Sequence, residues 1–338
     1  MKELRKKLTI VEALRAALGD EMNVDESVFI IGEDVRIGGS FGVTIGLFNK
    51  FGEKRILDTP ISEIGYIGLS IGSSISGLRP VVDFQFSDFS FCCMDQIVNE
   101  AAKLRYMSNG QVKVPIVIRL PSGNNGRGCQ HAQCLESYFA HTPGLIVIAV
   151  STPRDAYGLL RAAIRNDNPV IFFEHKLLYG NKGISLENKS EPHKDTIFED
   201  EKIILPIGKA DIKLPGKDLT LITTHLMLHR SLEVCINLAS EGIEVEVIDP
   251  RTLIPYDRKT IMDSLRKTKR LLIVEEENKT CSWGSSLIAD VVELNSKNII
   301  TKRLSSPNTP VPYAKELINN YIPSKEKIKK TIIEILEK

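Results

Sequence analysis

Cysteine is scarce in this sequence, with 6 among 338 residues. No C-x-x-C pair occurs, so the spacing of zinc sites and of thioredoxin-like redox motifs is missing. Cys92 and Cys93 lie in the apolar stretch FSFCCMDQI, which favours buried free thiols. An even number of cysteines is weak support for disulfides in a chain without a secretion signal. The sequence therefore predicts neither a cysteine metal site nor a disulfide framework.

An excess of charge of one sign is missing as well. The chain carries 44 Lys and Arg against 43 Asp and Glu, a formal net charge of +1. This balance removes the electrostatic argument for a surface that binds nucleic acid or an anionic membrane. The longest uncharged glycine-rich run, Ile64 to Leu78, has 15 residues, fewer than the ~20 apolar residues of a membrane span. The N-terminus, MKELRKKLTIVEAL, lacks an apolar core followed by a cleavage site, so we expect a cytoplasmic protein.

The glycine motifs of two common nucleotide-binding classes are also missing. No G-x-x-x-x-G-K-[ST] occurs, which excludes a phosphate-loop ATPase. Residues 123–128 read GNNGRG, which differs from the G-x-G-x-x-G order of dinucleotide-binding folds, and no acidic residue follows at the required distance. These glycines are expected to shape a loop that leads to His131. A phosphate-cradling role for that loop stays open as the less favoured alternative.

Short apolar segments alternate with helical patterns along most of the chain. Hydrophobic residues make up 42% and charged residues 26%, as in ordinary globular proteins. Nearly continuous β-branched runs are typical of strands buried on both faces of a parallel sheet, so the pattern predicts an α/β fold of two doubly wound domains with mostly parallel sheets. The predicted strands are Val28–Gly32, Arg79–Phe84, Pro115–Arg119, Leu145–Val150, Pro169–Glu174, Leu219–Thr223, Glu244–Ile248 and Arg270–Glu275. The predicted helices are Thr9–Asn23, Glu63–Ser76, Met94–Met107, Pro153–Asn166, Leu228–Glu241, Asp257–Lys267, Ser285–Leu294 and Ser324–Leu336.

A composition break near the middle of the chain indicates where the two domains meet. Glu187–Lys202 carries nine charges in 16 residues, and no apolar periodicity survives there. We interpret it as part of a solvated linker, with domains at 1–186 and 206–338 joined by residues 187–205. The alternative is a long surface loop within one domain.

Four residues near predicted strand ends are candidates for a functional site. Glu63 opens a predicted helix after Ser62, a fair N-cap, and a first-turn glutamate usually just complements the helix dipole. Gln85 and Phe89 lie in DFQFSDFSF, whose aromatics serve either as core or as a stacking platform for a ring. His131, in QHAQ, is more often structural than catalytic at such a position. The residues alone support a two-domain α/β protein with a site that joins these four.

Small residues recur on one face of the helix that begins at Glu63. Gly68, Gly72 and Ser76 are spaced four apart. Glycine costs ~1 kcal/mol relative to alanine inside a helix, so such a stripe is expected where another backbone comes close. Two interpretations stay open, namely packing within the chain and a tight interface with another subunit.

The stretch DTPISEIGY at residues 58–66 resembles the signature of the beta subunits of thiamine-diphosphate-dependent 2-oxo acid dehydrogenases. Matches continue in collinear order from about residue 8 to residue 336, through DQIVNEAAK, QHAQ, HTPGL, NDNP, EHKLLY and EVIDPRT. Within the family, GVT at 42–44, the Cys92–Cys93 pair, EHKLLY and NTPVP at 308–312 look most like acetoin dehydrogenase beta subunits.

The resemblance implies a transketolase-like pyrimidine-binding domain followed by a transketolase C-terminal domain that mainly supports assembly. Thiamine diphosphate would lie between an alpha and a beta subunit, with its diphosphate and Mg²⁺ held by a Gly-Asp-Gly motif of the alpha subunit. This chain contains no Gly-Asp-Gly, so it looks like half of an active site in an alpha2-beta2 heterotetramer. The assembly would pass an acyl group to lipoamide on a dihydrolipoyl acyltransferase core.

Residue by residue, the resemblance also implies roles. Glu63 matches the glutamate that hydrogen-bonds the aminopyrimidine ring nitrogen, and burial of its carboxyl would suit it to stabilising the imino tautomer. Phe89 matches the aromatic residue that stacks on the pyrimidine, and Gln85 matches a pocket residue beside it. His131 matches a reaction-chamber histidine proposed to stabilise intermediates or handle protons. A structural potassium ion would use four backbone carbonyls, those of Ile116, Ala163, Asn166 and Asn168.

Two segments depart from the pattern of many relatives. SPNTP at residues 306–310 replaces a Gly-x-Asp-x-Pro segment, and CSWG at 281–284 stands where many pyruvate enzymes have a Gly-Gly pair. Both are expected in the C-terminal domain, away from the chemistry. The substrate stays open among pyruvate, acetoin and branched-chain 2-oxo acids. The alternative functions are a self-sufficient transketolase-like enzyme, against which the missing Gly-Asp-Gly argues, and a non-catalytic scaffold that docks the acyltransferase core.

Overall fold

The computed structural model describes residues 6–182, 195–295 and 299–337, which alternate strands and helices. The strands are β1 (Val28–Gly32), β2 (Ile56–Asp58), β3 (Arg79–Asp83), β4 (Val117–Ser122), β5 (Ile146–Val150), β6 (Val170–His175), β7 (Asp211–Leu214), β8 (Leu219–Thr223), β9 (Val245–Asp249), β10 (Thr252–Ile254), β11 (Arg270–Asn278) and β12 (Ile300–Ser306). The α-helices are α1 (Ile10–Val24), α2 (Leu47–Phe51), α3 (Glu63–Ile75), α4 (Ala102–Met107), α5 (Glu136–Ala140), α6 (Pro153–Ile164), α7 (His225–Ser240), α8 (Arg258–Thr268), α9 (Trp283–Asn295), α10 (Lys315–Tyr321) and α11 (Lys325–Leu336).

The described strands form a 7-stranded and a 5-stranded sheet, in the orders β10-β5-β6-β4-β3-β1-β2 and β12-β11-β8-β9-β7. Pairing is parallel except at one edge of each sheet, where β10 runs antiparallel to β5 and β7 runs antiparallel to β9. The predicted α/β fold with mostly parallel sheets is therefore confirmed. The four strands that the sequence analysis does not predict, β2, β7, β10 and β12, are the four sheet edges, and edge strands lack the continuous apolar run of a central strand.

The two sheets share an apolar core. We call residues 6–182 the N-terminal unit and residues 208–337 the C-terminal unit. One cluster of buried side chains runs from Ile118 and Phe173 of the first sheet to Ile273 and Trp283 of the second unit. β10 belongs to the C-terminal half of the chain but completes the edge of the first sheet. The two units are therefore packed against each other rather than tethered by a free linker.

Helix starts follow local capping chemistry. Thr9 caps α1 in a capping box with Glu12, whose pKa falls to about 2 through its bonds to Lys6 and Thr9. Thr152 caps α6, and Pro153 occupies the first turn. Ser62 stands at the start of α3, but its side chain makes no capping hydrogen bond, so that part of the prediction is wrong.

The helix predicted over Met94–Met107 is present, but it is not a single regular α-helix. A 3₁₀ helix spans Ser87–Cys93, a π-helical turn spans Gln96–Ala101, and only α4 is regular. A π turn adds a residue to the helical repeat and shifts the faces that follow. The apolar spacing of the sequence does not reveal such an insertion.

The charged segment between the units lies partly outside the described residues, which resume at Asp195. From there it is not solvated as expected. Ile197 and Phe198 are buried, and the Leu8 amide donates to the Ile197 carbonyl at 3.0 Å. Two apolar side chains inside a charged run are enough to anchor it on the N-terminal unit. The domain boundaries at 186 and 205 stay predictions.

A buried ion network crosses the seam between the units. The Lys213 ammonium pairs with Asp155 at 3.0 Å and with Asp195. The Arg251 guanidinium reaches Asp155 at 2.7 Å and Asp211 at 2.8 Å. Removing one partner of a buried pair leaves an uncompensated charge, which costs several kcal/mol. The network therefore fixes how α6 meets β7.

Two further features are the state of the thiols and the lengths of the helices. The described chain contains six free cysteines; Cys93 is buried as predicted, whereas its neighbour Cys92 is exposed. Within the described ranges, we find no helix long and apolar enough to span a membrane.

Candidate active site

The four candidate residues gather at one edge of the first sheet. β4, β3, β1 and β2 are consecutive parallel neighbours. Glu63 follows β2, Gln85 and Phe89 follow β3, and His131 lies on the loop after β4. Carboxyl ends of neighbouring parallel strands form the crevice in which α/β proteins bind ligands. Residues that are up to 68 positions apart in the sequence therefore lie at the same edge of the sheet.

Glu63 has a carboxylate neighbour that the sequence analysis missed. Glu33 follows β1 and is buried, and its Oε1 atom has no hydrogen-bond partner among the described residues. Burial, then the charges of Glu63 and Asp34, raise the pKa of Glu33. Glu63 itself is only partly buried, so the burial expected at Glu63 is found at Glu33 instead. The only sequence signal was the acidic pair at the end of an apolar strand.

Gln85 is tied to the same turn. Its Nε2 atom donates to Asp34 Oδ2 at 3.3 Å. Asp34 adopts a left-handed backbone conformation, with φ of 58°. In the sheet order, the turn after β1 thus lies between Glu63, which follows β2, and Gln85, which follows β3.

An aromatic cluster lies at the same edge of the sheet. The Phe86 ring packs edge-on against Phe89 at 5.5 Å and against His131 at 5.2 Å between centroids, and Phe89 and His131 lie 5.6 Å apart. Phe89 is only partly buried, so part of its ring is available to a ligand. Edge-on pairs hold ring orientation because the positive edge of one ring meets the negative face of the other.

Cationic groups flank this cluster. Lys176 Nζ lies 5.3 Å from the Phe86 centroid, and Arg127 Cζ lies 5.8 Å from it. Burial lowers the pKa of Lys176 to about 8. Phe86 was one of several aromatics in its stretch, and nothing in the sequence marked it as the centre of the cluster.

A backbone hydrogen bond closes the base of the loop that carries His131. We call residues 123–136 the His131 loop. The Gly123 amide donates to the Gln133 carbonyl at 3.4 Å, and the Gln133 side chain donates to Asp88 Oδ1 at 2.8 Å. Gly123 has φ of 90°, a region that glycine enters without strain. The loop is therefore a hydrogen-bonded structure that places His131 against the aromatic cluster.

The segment after β12 packs against the His131 loop, although the sequence analysis expects residues 306–310 to lie away from the chemistry. Ala132 packs in one cluster with Val311, Tyr321 and Ile322. A side chain added at Gly128 would meet the Tyr313 ring at 3.3 Å. The departure at residues 306–310 therefore precedes a strap that covers the His131 loop, rather than lying far from the site.

Three of the four proposed potassium carbonyls already accept protein hydrogen bonds. The Ile116 carbonyl accepts from Val170, and that of Ala163 accepts from Asn166. Arg79 Nη1 donates to the carbonyls of Ile164 at 3.0 Å and Asn166 at 3.1 Å. The fourth residue, Asn168, contacts Arg105 Nη1 through its side-chain oxygen at 2.7 Å. The Ala163 carbonyl also faces the Arg165 amide, and the potassium site stays a prediction.

Comparison with known proteins places the chain in a family. Residues 6–182 match the family model of the transketolase pyrimidine binding domain, and residues 208–328 match that of the transketolase C-terminal domain. The beta subunit of the acetoin:2,6-dichlorophenolindophenol oxidoreductase of Bacillus subtilis (strain 168) is 40% identical, over 97% of this chain and 97% of the relative. The mitochondrial pyruvate dehydrogenase E1 component subunit beta-2 of Oryza sativa subsp. japonica is 42% identical, over 96% of this chain and 85% of the relative.

The chain belongs to the beta subunits of the thiamine-diphosphate-dependent 2-oxo acid and acetoin dehydrogenases. The 2-oxoisovalerate dehydrogenase subunit beta of Bacillus subtilis (strain 168) is 39% identical to this beta subunit, over 98% of the chain and 99% of the relative. A solved structure described as a split gene transketolase, inactive beta4 tetramer, shares its fold with a TM-score of 0.78 at 19% identity, over 98% of this chain and 99% of that one. The resemblance inferred from the sequence is confirmed, and identities of 39–42% to three substrate classes leave the substrate open.

Proposed function

We propose that this beta subunit supplies the pyrimidine side of a thiamine diphosphate site and works with an alpha subunit. The proposed reaction cleaves the bond next to the carbonyl of a small 2-oxo acid or of acetoin and passes the acyl group to lipoamide. The observation that carries the proposal is the convergence of Glu63, Gln85, Phe89 and His131 at the carboxyl edge of four adjacent strands. Acidic side chains and aromatic rings at one edge of a sheet suit an aminopyrimidine ring.

The chain's residues fit that group. The orphaned Oε1 atom of buried Glu33 indicates a polar atom still to be satisfied beside Glu63. When bound, the cofactor would supply the carbanion that attacks the substrate carbonyl. Glu63 would hydrogen-bond the ring nitrogen and favour the imino tautomer, with Gln85 beside it. Phe89 would stack on the ring.

His131 would act on the substrate side of the same crevice. Its ring is oriented by Phe86 and Phe89. Histidine is the side chain that most often serves as a general acid or base. We assign it the stabilisation of intermediates or a proton transfer as the acyl group leaves for lipoamide.

The diphosphate and Mg²⁺ would belong to the alpha subunit, because this chain has no Gly-Asp-Gly sequence. The alpha2-beta2 arrangement has its own support in α3. A side chain added at Gly68 or Gly72 would meet nothing within 4 Å in this chain. The stripe therefore does not serve packing inside the chain, which favours the subunit-interface interpretation.

Three further features are proposed, namely the acyl acceptor, a potassium ion and the compartment. A lipoyl-bearing acyltransferase core would accept the acyl group, and a potassium ion would bind the carbonyls of Ile116, Ala163, Asn166 and Asn168. The proposed compartment is the cytoplasm, whereas the name of the rice relative places that protein in mitochondria. Thermal unfolding of the complex in KCl and in NaCl tests the ion, and an equal melting temperature in both salts would refute it.

The deciding experiment is co-expression with the alpha-like partner chain. Dye reduction is followed with pyruvate, acetoin and 2-oxoisovalerate, with and without thiamine diphosphate and Mg²⁺. We expect thiamine-dependent turnover of one substrate. Glu63→Gln should lower kcat by at least ~100-fold, in the range expected for loss of an acid–base group, whereas Glu53→Gln at an exposed glutamate should leave it unchanged.

Two outcomes would contradict the proposal. A well-formed tetramer without turnover on any of the three substrates would exclude the assigned reaction. Retained turnover in Glu63→Gln would remove the acid–base assignment and favour the scaffold alternative.

A further inference from the structure

Two consecutive glutamates of the C-terminal unit hold the two ends of the His131 loop. Glu276 Oε1 accepts a hydrogen bond from the Asn124 amide at 2.8 Å, at the start of the loop. Glu277 Oε1 accepts from the Ser137 amide at 2.8 Å, and its Oε2 accepts from Ser137 Oγ at 2.7 Å, directly after the loop. Both glutamates lie on β11. The loop that presents His131 is thus attached to a strand of the other sheet.

Glu276 is itself fixed by a third group. Its Oε2 atom lies 2.9 Å from His175 Nε2. Burial opposes ionisation of Glu276, but His175 and the Asn124 amide outweigh it and lower its pKa. Gly123 lies so close to the His175 ring that an added Cβ would fall 2.2 Å from Nε2. The start of the His131 loop, the His175 ring and the Glu276 carboxylate are therefore packed against one another.

Glu277 behaves differently from its neighbour. Burial, then the charges of Glu136 and Glu275, raise its pKa to about 8. This shift favours the protonated carboxyl, which still accepts from the Ser137 amide through Oε1. A glutamine at this position has the same capacity to accept and donate.

We propose that Glu276 and Glu277 are positioning residues that set where His131 stands in the crevice. The C-terminal unit then does more than support assembly, because it holds the loop on which the assigned chemistry depends. This inference rests on the proposed function of His131. Misplacement of a reacting group by about 1 Å costs on the order of 100-fold in rate, so loss of one anchor should lower kcat and leave substrate KM nearly unchanged.

The chain offers a matched control on the same strand. Glu275 accepts from Ser282 Oγ at 2.6 Å and from Ser305 Oγ at 2.6 Å, both within the C-terminal unit. Its other hydrogen-bond partners in the described chain, Gly284 and Arg303, also belong to the C-terminal unit. Glu275→Ala thus removes a hydrogen-bonded carboxyl from β11 without releasing the loop.

The test is a double-mutant cycle in the assembled complex with the alpha subunit. We expect Glu276→Ala to lower kcat by about 10- to 100-fold. Combined with His131→Ala, it should add less than about 2-fold, because two changes acting through one group are not additive. Glu275→Ala should leave kcat within about 2-fold. Independent losses for Glu276→Ala and His131→Ala would overturn the proposal.

A second readout does not depend on activity. Hydrogen exchange of peptides covering residues 123–136 should accelerate in Glu276→Ala and stay unchanged in Glu275→Ala. Unchanged exchange in Glu276→Ala would overturn the positioning role even in a fully active complex. Absence of turnover in the wild-type complex, with faster exchange in the variant, would refute the assigned reaction and leave the anchoring intact.

The variants of Glu277 keep the test decisive if Glu276→Ala fails to assemble. Glu277→Gln should retain kcat, whereas Glu277→Ala should lower it by about 10-fold or more. Unchanged kcat in Glu277→Ala would contradict the proposal.

Discussion

Gly123→Ala tests the contact at the base of the His131 loop. The new Cβ would lie 2.2 Å from His175 Nε2 and 2.3 Å from Cδ2. Ordinary carbon contacts need about 3.5 Å, so the ring has to move by more than 1 Å. Because His175 Nε2 is only 2.9 Å from Glu276, that movement breaks the contact between them.

The expected loss of stability has two parts. Alanine in the left-handed region costs about 1–2 kcal/mol, and the stiffer unfolded chain returns about 0.4–1 kcal/mol of this. Losing the buried hydrogen bond between the His175 ring and the Glu276 carboxylate costs about 1.5–3 kcal/mol. Gly123→Ala should therefore lower the free energy of unfolding by about 3 kcal/mol.

Gly242→Ala is the matched control, since Gly242 has φ of 87° and nothing within 4 Å of an added Cβ. It should lose only about 1 kcal/mol. Urea denaturation of the assembled complex at fixed concentration, followed by circular dichroism, measures both. Equal losses in the two variants would show that His175 yields without cost and would refute the reasoning.

Two further predictions concern assembly and pH. Gly68→Leu should leave the fold of the chain intact, because nothing within 4 Å opposes a Cβ there, but should reduce tetramer yield in light scattering; an unchanged yield would contradict the interface. The complex should lose stability as pH rises from about 4.5 to about 8, because the folded chain keeps the Glu277 proton that the unfolded chain releases over that range. Glu277→Gln should weaken this dependence in thermal unfolding, and an identical pH profile for variant and wild type would argue against the assignment.

The central strands show how far the sequence could be interpreted. Val28–Gly32 and Leu219–Thr223 were predicted with their observed bounds, because each is buried along its whole length. β2 and β10 were missed, because three residues at an edge have too little apolar pattern to stand out. The helix predicted after the Cys92–Cys93 pair contains a π turn, which apolar periodicity does not encode.

The site shows the same division. Glu63, Gln85, Phe89 and His131 were selected from local motifs and from the family resemblance. Their convergence was not derivable, because it depends on the order β4-β3-β1-β2, which the chain order does not reveal. Glu33 was missed for the same reason, since nothing local placed it beside Glu63.

The α/β class, the family and the residue types of the site could be inferred from the sequence, because periodicity, glycine spacing and motif order are local properties. Three features depend on the tertiary fold: which carboxyl is buried, which ring lies at the centre of the aromatic cluster, and the contacts of Glu276 and Glu277 with the ends of the His131 loop. These properties arise from contacts across 140 or more residues of sequence. Their energies come from desolvation and pairing, which exist only once the two sheets have packed together.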